Sequence, residues 1–216
     1  DKIPFEQKSD AMEFGSTIHI TLEKYYQEKM IGEKLLLKDV HEIFETTWKQ
    51  RAEDKTDIQY TKDHDFKSML MMGKDLLTVW YNKLPDDNYN ILGIEEAFSF
   101  LIPGIPLAFI GAMDLIEEDD AGTIIITDFK TSGRAYSADE VDQNQQLTLY
   151  QMAMKALGYD KREILLKFDT LIKTKTPKFE QYWTTRSDPV IQRLSTTTIQ
   201  LRDGIQKLRL IPNVTS

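Results

Sequence analysis

Residues 110–130 read IGAMDLIEEDDAGTIIITDFK, two strands and a turn from which the rest of the chain can be laid out. The first predicted strand covers residues 110–116 and the second 123–130, with Ile124, Ile125 and Ile126 at its centre. A strand that apolar is expected to be covered on both faces and so to lie in the middle of a sheet. The turn EEDDAG closes on Gly122, as a three-residue loop ending in a left-handed glycine requires. With residues 120–122 as the loop, Asp119 pairs with Thr123, and counting back sets Asp114 opposite Asp128. Directly opposed residues share a face, with Cβ atoms roughly 5 Å apart. Lys130, two residues beyond Asp128, falls on that face as well. Two carboxylates and an ammonium thus converge on the end of a buried hairpin, as a metal site with a cation beside it would need.

Any lone D-x-K also reads as solvated strand ends with a snorkelling lysine. Here the hairpin register supplies a specific geometry. Two close carboxylates repel, and a divalent cation relieves that repulsion. With no Cys in the chain, carboxylate oxygens favour Mg²⁺ or Mn²⁺ over Zn²⁺.

Upstream, Asp10 and Glu13 suggest a capping box for a helix running from residue 11 to about 30 and stopping at Gly32. Its expected apolar stripe is Met12, Ile18, Leu22, Tyr25 or Tyr26, and Met30. Gly15, His19 and Glu23 share another face. A second helix is capped by Asp39 and Glu42 and turns Val40, Ile43, Phe44, Thr47 and Trp48 inward; residues 51–61 read as a loop. A third, about 65–83, buries Phe66, Met69, Leu70, Gly73, Leu76, Leu77 and Trp80. These helices are expected to cap the sheet and help define a substrate channel. Residues 91–101 form a strand in which Glu95 and Glu96 face opposite ways, so at most one enters the site. After the hairpin, S-A-D-E (residues 137–140) caps a helix expected to run unbroken to Gly158, with Leu147, Tyr150, Met154 and Leu157 buried. Strands at 164–172 and 179–183 flank the basic turn 173–178, and Ser187-Asp188-Pro189 starts a last helix.

Four motifs in this order resemble a known family: G-x-x-x-H-x-x-x-E (Gly15, His19, Glu23), G-x-x-D (Gly111, Asp114), D-F-K (Asp128, Phe129, Lys130) and Q-L-x-L-Y (Gln146, Tyr150). Together they are similar to the RecB-type nucleases of the PD-(D/E)XK superfamily, over roughly residues 11–157. The resemblance implies an α/β fold with a mixed central β-sheet flanked by helices, a restriction-endonuclease-like αβββαβ core behind an N-terminal helical portion. It implies one domain over 1–216: helical portion about 10–85, catalytic core about 90–185, C-terminal helix about 188–210. It implies a Mg²⁺- or Mn²⁺-dependent, exonuclease-like deoxyribonuclease with one or two ions, acting in repair, recombination or phage- and CRISPR-related DNA processing. Asp114 and Asp128 would be the main ligands, with Glu95, the Phe129 backbone carbonyl and His19 completing the shell. Spacing to Phe98 matches the family's E-x-x-F and favours Glu95 over Glu96. Lys130 would stabilise developing negative charge or help deprotonate water, and Gln146 and Tyr150 would position Lys130 or a phosphate. Glu23 either orients His19 or is a solvated i,i+4 partner. The implied partners are DNA, as single strands or ends, and a helicase subunit or domain. A metal-dependent hydrolase of another phosphate ester, or a catalytically weak DNA- or helicase-binding module, are the competing readings.

The chain's 216 residues, 41% hydrophobic, suffice for one domain with a sizeable core. No apolar run approaches membrane-spanning length and no signal pattern opens the chain, so a cytoplasmic location with no membrane association is expected. Both ends look cut, with no initiator Met and a trailing LIPNVTS. Without Cys, an iron–sulfur cluster, held in some relatives by flanking cysteines, cannot form from the residues present. The net charge of −8 opposes phosphate binding overall, yet only the local field acts at a site. Acidic residues such as Glu42, Glu45, Glu53 and Asp54 come early, whereas Lys161, Arg162, Lys167, Lys173, Lys175, Lys178, Arg202, Lys207 and Arg209 come late.

Overall fold

The computed structural model describes residues 7–85 and 89–209, with side chains to residue 205; the trailing LIPNVTS and the side chains of Lys207 and Arg209 lie outside them. Three helices come first: α1 (Asp10–Met30), α2 (Leu37–Ala52) and α3 (Phe66–Lys83). A short parallel pair, β1 (Lys8–Ser9) and β2 (Ile58–Gln59), ties the start of α1 to the segment after α2, where an unstructured loop was expected. Then follow β3 (Asn90–Leu101), β4 (Ala108–Glu118), β5 (Ile124–Ser132), α4 (Ala138–Asp142), α5 (Gln145–Met154), β6 (Ile164–Ile172), β7 (Lys178–Thr184) and α6 (Asp188–Arg209). The strands form one mixed sheet in the order β3-β4-β5-β6-β7, with only β5 and β6 parallel. This is the expected α/β architecture, and the isoleucine-rich β5 is its middle strand.

The hairpin closes as its sequence requires. Gly122 adopts φ +84° and its N–H bonds Asp119 O at 2.9 Å. The Asp119 carboxylate takes the N–H groups of Ala121 and Thr123 at 3.0 and 2.8 Å. The resulting register runs from Glu118↔Ile124 to Leu115↔Thr127 as counted, but the pairing ends there, one step short of the expected Asp114–Asp128 pair.

Strand alternation sorts the core into two layers. Leu115 and Phe129 pack under Phe14, Ile18, Leu22 and Tyr26 of α1, with α2 and α3 beyond. Ile116, Ile126 and Phe168 pack under Leu147, Tyr150 and Met154 of α5. Trp48 and Trp80, both wholly buried, anchor the helical layer, each contributing on the order of 2–3 kcal/mol by burial. Met113 and Leu115 should share a face, yet they belong to opposite layers, as do Phe98 and the partly buried Ile94. The β3–β4 ribbon therefore rolls over between them, at Glu95 and Asp114. Glu95 sits there at φ +49°, a left-handed conformation for a non-glycine residue.

Several expectations about helices need correction: α2 starts at Leu37 after the N-cap Leu36, and Asp39 lies inside its first turn, accepting Leu36 N–H at 2.8 Å. In α1, Ser9 is the N-cap, and the Asp10 carboxylate instead takes Thr61 N–H and Oγ1–H at 3.0 and 2.7 Å. Met12 and Met30 are exposed, and Phe14 joins the buried stripe, because the face is set by packing on the sheet. The helix after Ser137 is broken. Ser137 and Glu140 make the capping box, but the chain restarts at Asn144, whose Oδ1 caps α5 through Leu147 N–H at 3.0 Å. Leu157 is exposed, and Gly158 turns left-handed at φ +99°.

Candidate active site

Beyond Leu115↔Thr127 the ladder between β4 and β5 stops, because the β3–β4 ribbon turns away. The Asp114 side chain fills the vacated place: its Oδ2 accepts Phe129 N–H at 2.7 Å. The same oxygen lies 3.5 Å from His19 Nδ1. Glu95 is Asp114's counterpart in the β3–β4 register, between Ile94↔Leu115 and Glu96↔Met113. His19, Glu95 and Asp114 each present a ligand-type atom within 4.8 Å of the other two, and they form the only such group among the described residues. Glu96, paired with Met113, does not join them. Glu23 accepts from Gln27 Nε2 at 2.8 Å, the solvated i,i+4 alternative, while its charge still reaches Glu95.

Asp128 is drawn into a neighbouring ring. Its Oδ1 accepts the Tyr150 hydroxyl at 3.0 Å. Tyr150 Oη accepts Gln146 Nε2 at 2.7 Å, and Gln146 Oε1 accepts Lys130 Nζ at 2.9 Å. Lys130 Nζ closes the ring 2.6 Å from Asp128 Oδ2, an ion pair whose approach angle does not make a hydrogen bond. Asp128 is 1% exposed, so this Oδ2 is a buried carboxylate oxygen held by charge alone.

The electrostatics follow from crowding acids out of water. Burial, then the Asp128 charge, push the Asp114 carboxyl up to about 7, against the pull of Phe129 N–H and Lys130. Burial, then Asp114 and Glu23, raise Glu95. Burial lowers His19 despite the Asp128 charge, so its imidazole is neutral at neutral pH and free to donate a lone pair. Burial and the two aspartates raise Tyr150, which stays a phenol able to donate to Asp128. Burial leads each of these shifts, and crowded negative charge adds to those of Asp114, Glu95 and Tyr150. The donors are carboxylate oxygens and one imidazole, with a backbone carbonyl at Phe129 against His19. They fit a divalent cation.

His19, Glu95 and Asp114 thus form one group and Asp128, Lys130, Gln146 and Tyr150 an adjoining one at the end of β5, whereas Glu96 and Glu23 stay outside both. Two residues that hold them gave no comparable signal: Asn144, hidden in a helix expected to be continuous, and Arg186, which reads as an ordinary loop cation before α6.

A family model for the PD-(D/E)XK nuclease superfamily matches residues 1–213, and the chain belongs to that superfamily. Among solved structures, a protein from Eubacterium rectale bearing the name "Putative exonuclease" aligns at TM-score 0.43 and 14% identity, covering 94% of this chain and 81% of its own. The protein SSO0001 aligns at TM-score 0.36 and 16% identity, covering 93% of this chain and 78% of its own. No curated protein sequence matches. Among the described residues, no helix is long and apolar enough to cross a membrane.

Proposed function

We propose that this protein is a divalent-metal-dependent deoxyribonuclease of the RecB type, working as one domain and attacking DNA from its ends. The observation that carries this reading is the junction of a three-donor cluster with a lysine-centred ring on one aspartate pair. His19, Glu95 and Asp114 would hold Mg²⁺ or Mn²⁺, with Asp128 and the Phe129 carbonyl at the shared edge. Such an ion supplies Lewis acidity, neutralising charge on phosphoryl oxygens and acidifying the attacking water. The chain's own groups do the rest. Lys130, gripped by Gln146 and Asp128, presents N–H donors where negative charge grows on the phosphate. Tyr150 fixes the rotamer of Asp128 by donating to Oδ1, leaving Oδ2 toward the lysine. Neutral His19 adds a ligand without adding charge. The basic turn after β6 emerges at the same sheet end, since Lys173 N–H bonds Ser132 O at 2.7 Å, and would meet the DNA backbone. A helicase is the partner this reading suggests, because RecB-type domains often work fused to, or beside, helicases.

The test is purified protein with end-labelled linear DNA and closed circular DNA, in Mn²⁺ and in EDTA. Label should be released from linear DNA only, and only with metal. Cleavage that survives EDTA, or an Asp128→Ala protein as active as wild type, would end the proposal.

A further inference from the structure

Arg186 lies just after β7, 5% exposed, with no carboxylate in direct contact among its described bonds. All five of its guanidinium N–H groups are nevertheless used. Nε donates to Thr148 Oγ1 at 2.8 Å. Nη1 donates to Thr184 Oγ1 at 2.7 Å and Thr185 O at 3.0 Å. Nη2 donates to Val141 O at 2.8 Å and Asn144 O at 3.1 Å. The backbone adds a second grip: Gln151 Oε1 accepts Arg186 N–H at 3.1 Å, and Gln151 Nε2 donates to Arg186 O at 2.9 Å. Asp142 is hydrogen-bonded to this arrangement through Thr184, whose hydroxyl donates to it at 2.6 Å, and its charge reaches the guanidinium without contact.

A buried cation without a touching counter-ion is costly, and an apolar side chain would fill the volume at lower cost. What an apolar side chain could not do is hold the break between α4 and α5. Val141 O and Asn144 O lie at the two lips of that break, and Thr148 and Gln151 are on the first turns of α5. At about 100° per residue, Thr148 and Gln151 lie about 200° and 140° around the helix from Gln146, and Tyr150 only about 40°. The arginine therefore grips the back of α5, and the front carries Gln146 and Tyr150 to Lys130 and Asp128.

We infer that Arg186 is a positioning residue for the reaction: it clamps the α4–α5 break to β7 and so sets the Gln146–Tyr150 pair against Lys130 and Asp128. The inference rests on the nuclease reading for its consequence in rate, but the clamp itself can be read without cleavage. A lysine at 186 keeps the charge and loses the planar five-donor fork.

The experiment compares wild type, Arg186→Lys, Gln146→Leu and the double variant, by hydrogen exchange of α5 and by DNA cleavage with Mn²⁺ well below the melting temperature. In Arg186→Lys, exchange should quicken at residues 145–151 while β5 and β6 stay protected. Its kcat should fall between about 10- and 100-fold, the scale of a misplacement near 1 Å, with KM little changed. In the Gln146→Leu background the same change should cost clearly less than in wild type, because part of what the arginine positions is already lost. If Arg186→Lys does not fold cooperatively, Thr148→Val, which removes one acceptor from the back of α5, carries the same comparison. Unchanged α5 protection, unchanged kcat, or full additivity with Gln146→Leu would each overturn the inference. An inert wild type would instead overturn the nuclease reading, and α5 protection would then decide the clamp alone.

Discussion

Asp114 does two things with one oxygen: it replaces a missing ladder acceptor for Phe129 N–H and it faces His19. Its carboxyl titrates near 7 in the folded protein and near 3.8 in an open chain, so the folded state holds a proton that the unfolded state has lost. The stability this confers is complete below about pH 4 and is lost as pH rises through about 7. In EDTA, then, the melting temperature of wild type should fall between about pH 5 and pH 8 more than that of Asp114→Asn. The asparagine variant, which keeps an acceptor for Phe129, should gain on wild type by a few degrees, taking about 2–4 °C per kcal/mol. Melting curves that stay parallel across that range would refute the assignment. Cleavage should fall by about 10²–10³-fold or more in Asp114→Ala, Asp128→Ala and Lys130→Ala, with the fold intact by circular dichroism. Calorimetry should show weaker Mn²⁺ binding for the two acid variants and nearly normal binding for Lys130→Ala. His19→Gln separates ligand from packing: Mn²⁺ affinity should drop while the apo melting temperature moves by less than about 2 °C. A lowered melting temperature with intact affinity would return His19 to the core.

At the level of elements, two motif residues are explained by the β3–β4 ribbon. Phe98 and Gly111 are cross-strand partners, and the Phe98 ring lies over the glycine, where a Cβ would approach Cζ to 2.7 Å. Phe98 in turn meets the Tyr150 ring edge-on at 5.9 Å. The glycine of G-x-x-D thus makes room for an aromatic that buttresses the tyrosine of the ring around Asp128. Gly111→Ala should displace Phe98, costing about 1–3 kcal/mol in chemical denaturation as an overpacked contact, and should lower kcat through Tyr150. A variant of wild-type stability would show that the ring moves aside freely. The neighbouring β4–β5 hairpin shows how much was legible beforehand: its register down to Leu115↔Thr127 follows from turn chemistry and counting, whereas the break just before Asp114 does not. The roll-over of the β3–β4 ribbon at Glu95 was not legible either, since no local rule places a glutamate at φ +49°. Asn144 was missed for a related reason, because the residues on either side of the break carry a continuous helical pattern.

On the scale of the whole molecule, the proposed function requires a net charge of −8 to coexist with a polyanionic substrate. The parallel pairing of β5 and β6 brings Ser132 beside Ile172, so the turn bearing Lys173, Lys175 and Lys178 emerges at the end of the sheet that holds Lys130. Lys173 is half-buried over Phe14 at 5.4 Å, whereas Lys175 and Lys178 are exposed. Lys175→Glu with Lys178→Glu should raise KM for DNA by about several-fold at low salt, leave kcat nearly unchanged and flatten the dependence of KM on salt. An unaltered salt dependence would move the DNA path elsewhere.

The amino-acid sequence by itself determined the mixed α/β order, the central place of β5, the hairpin register from Glu118↔Ile124 to Leu115↔Thr127 and the side on which Lys130 stands. These follow from period-two alternation, turn residues and an apolar run, all of which are local. Tertiary structure alone decided the rest. It brought His19 from α1 across to Asp114, rolled the β3–β4 ribbon so that Glu95 comes beside His19 and Asp114, and divided the site between a three-donor cluster and a ring on Asp128. It also put Arg186 behind α5. These relations join residues from 15 to more than 90 positions apart in the chain. They are set by which helix face the sheet accepts and by where buried charge finds its partners, and neither is written in any single stretch.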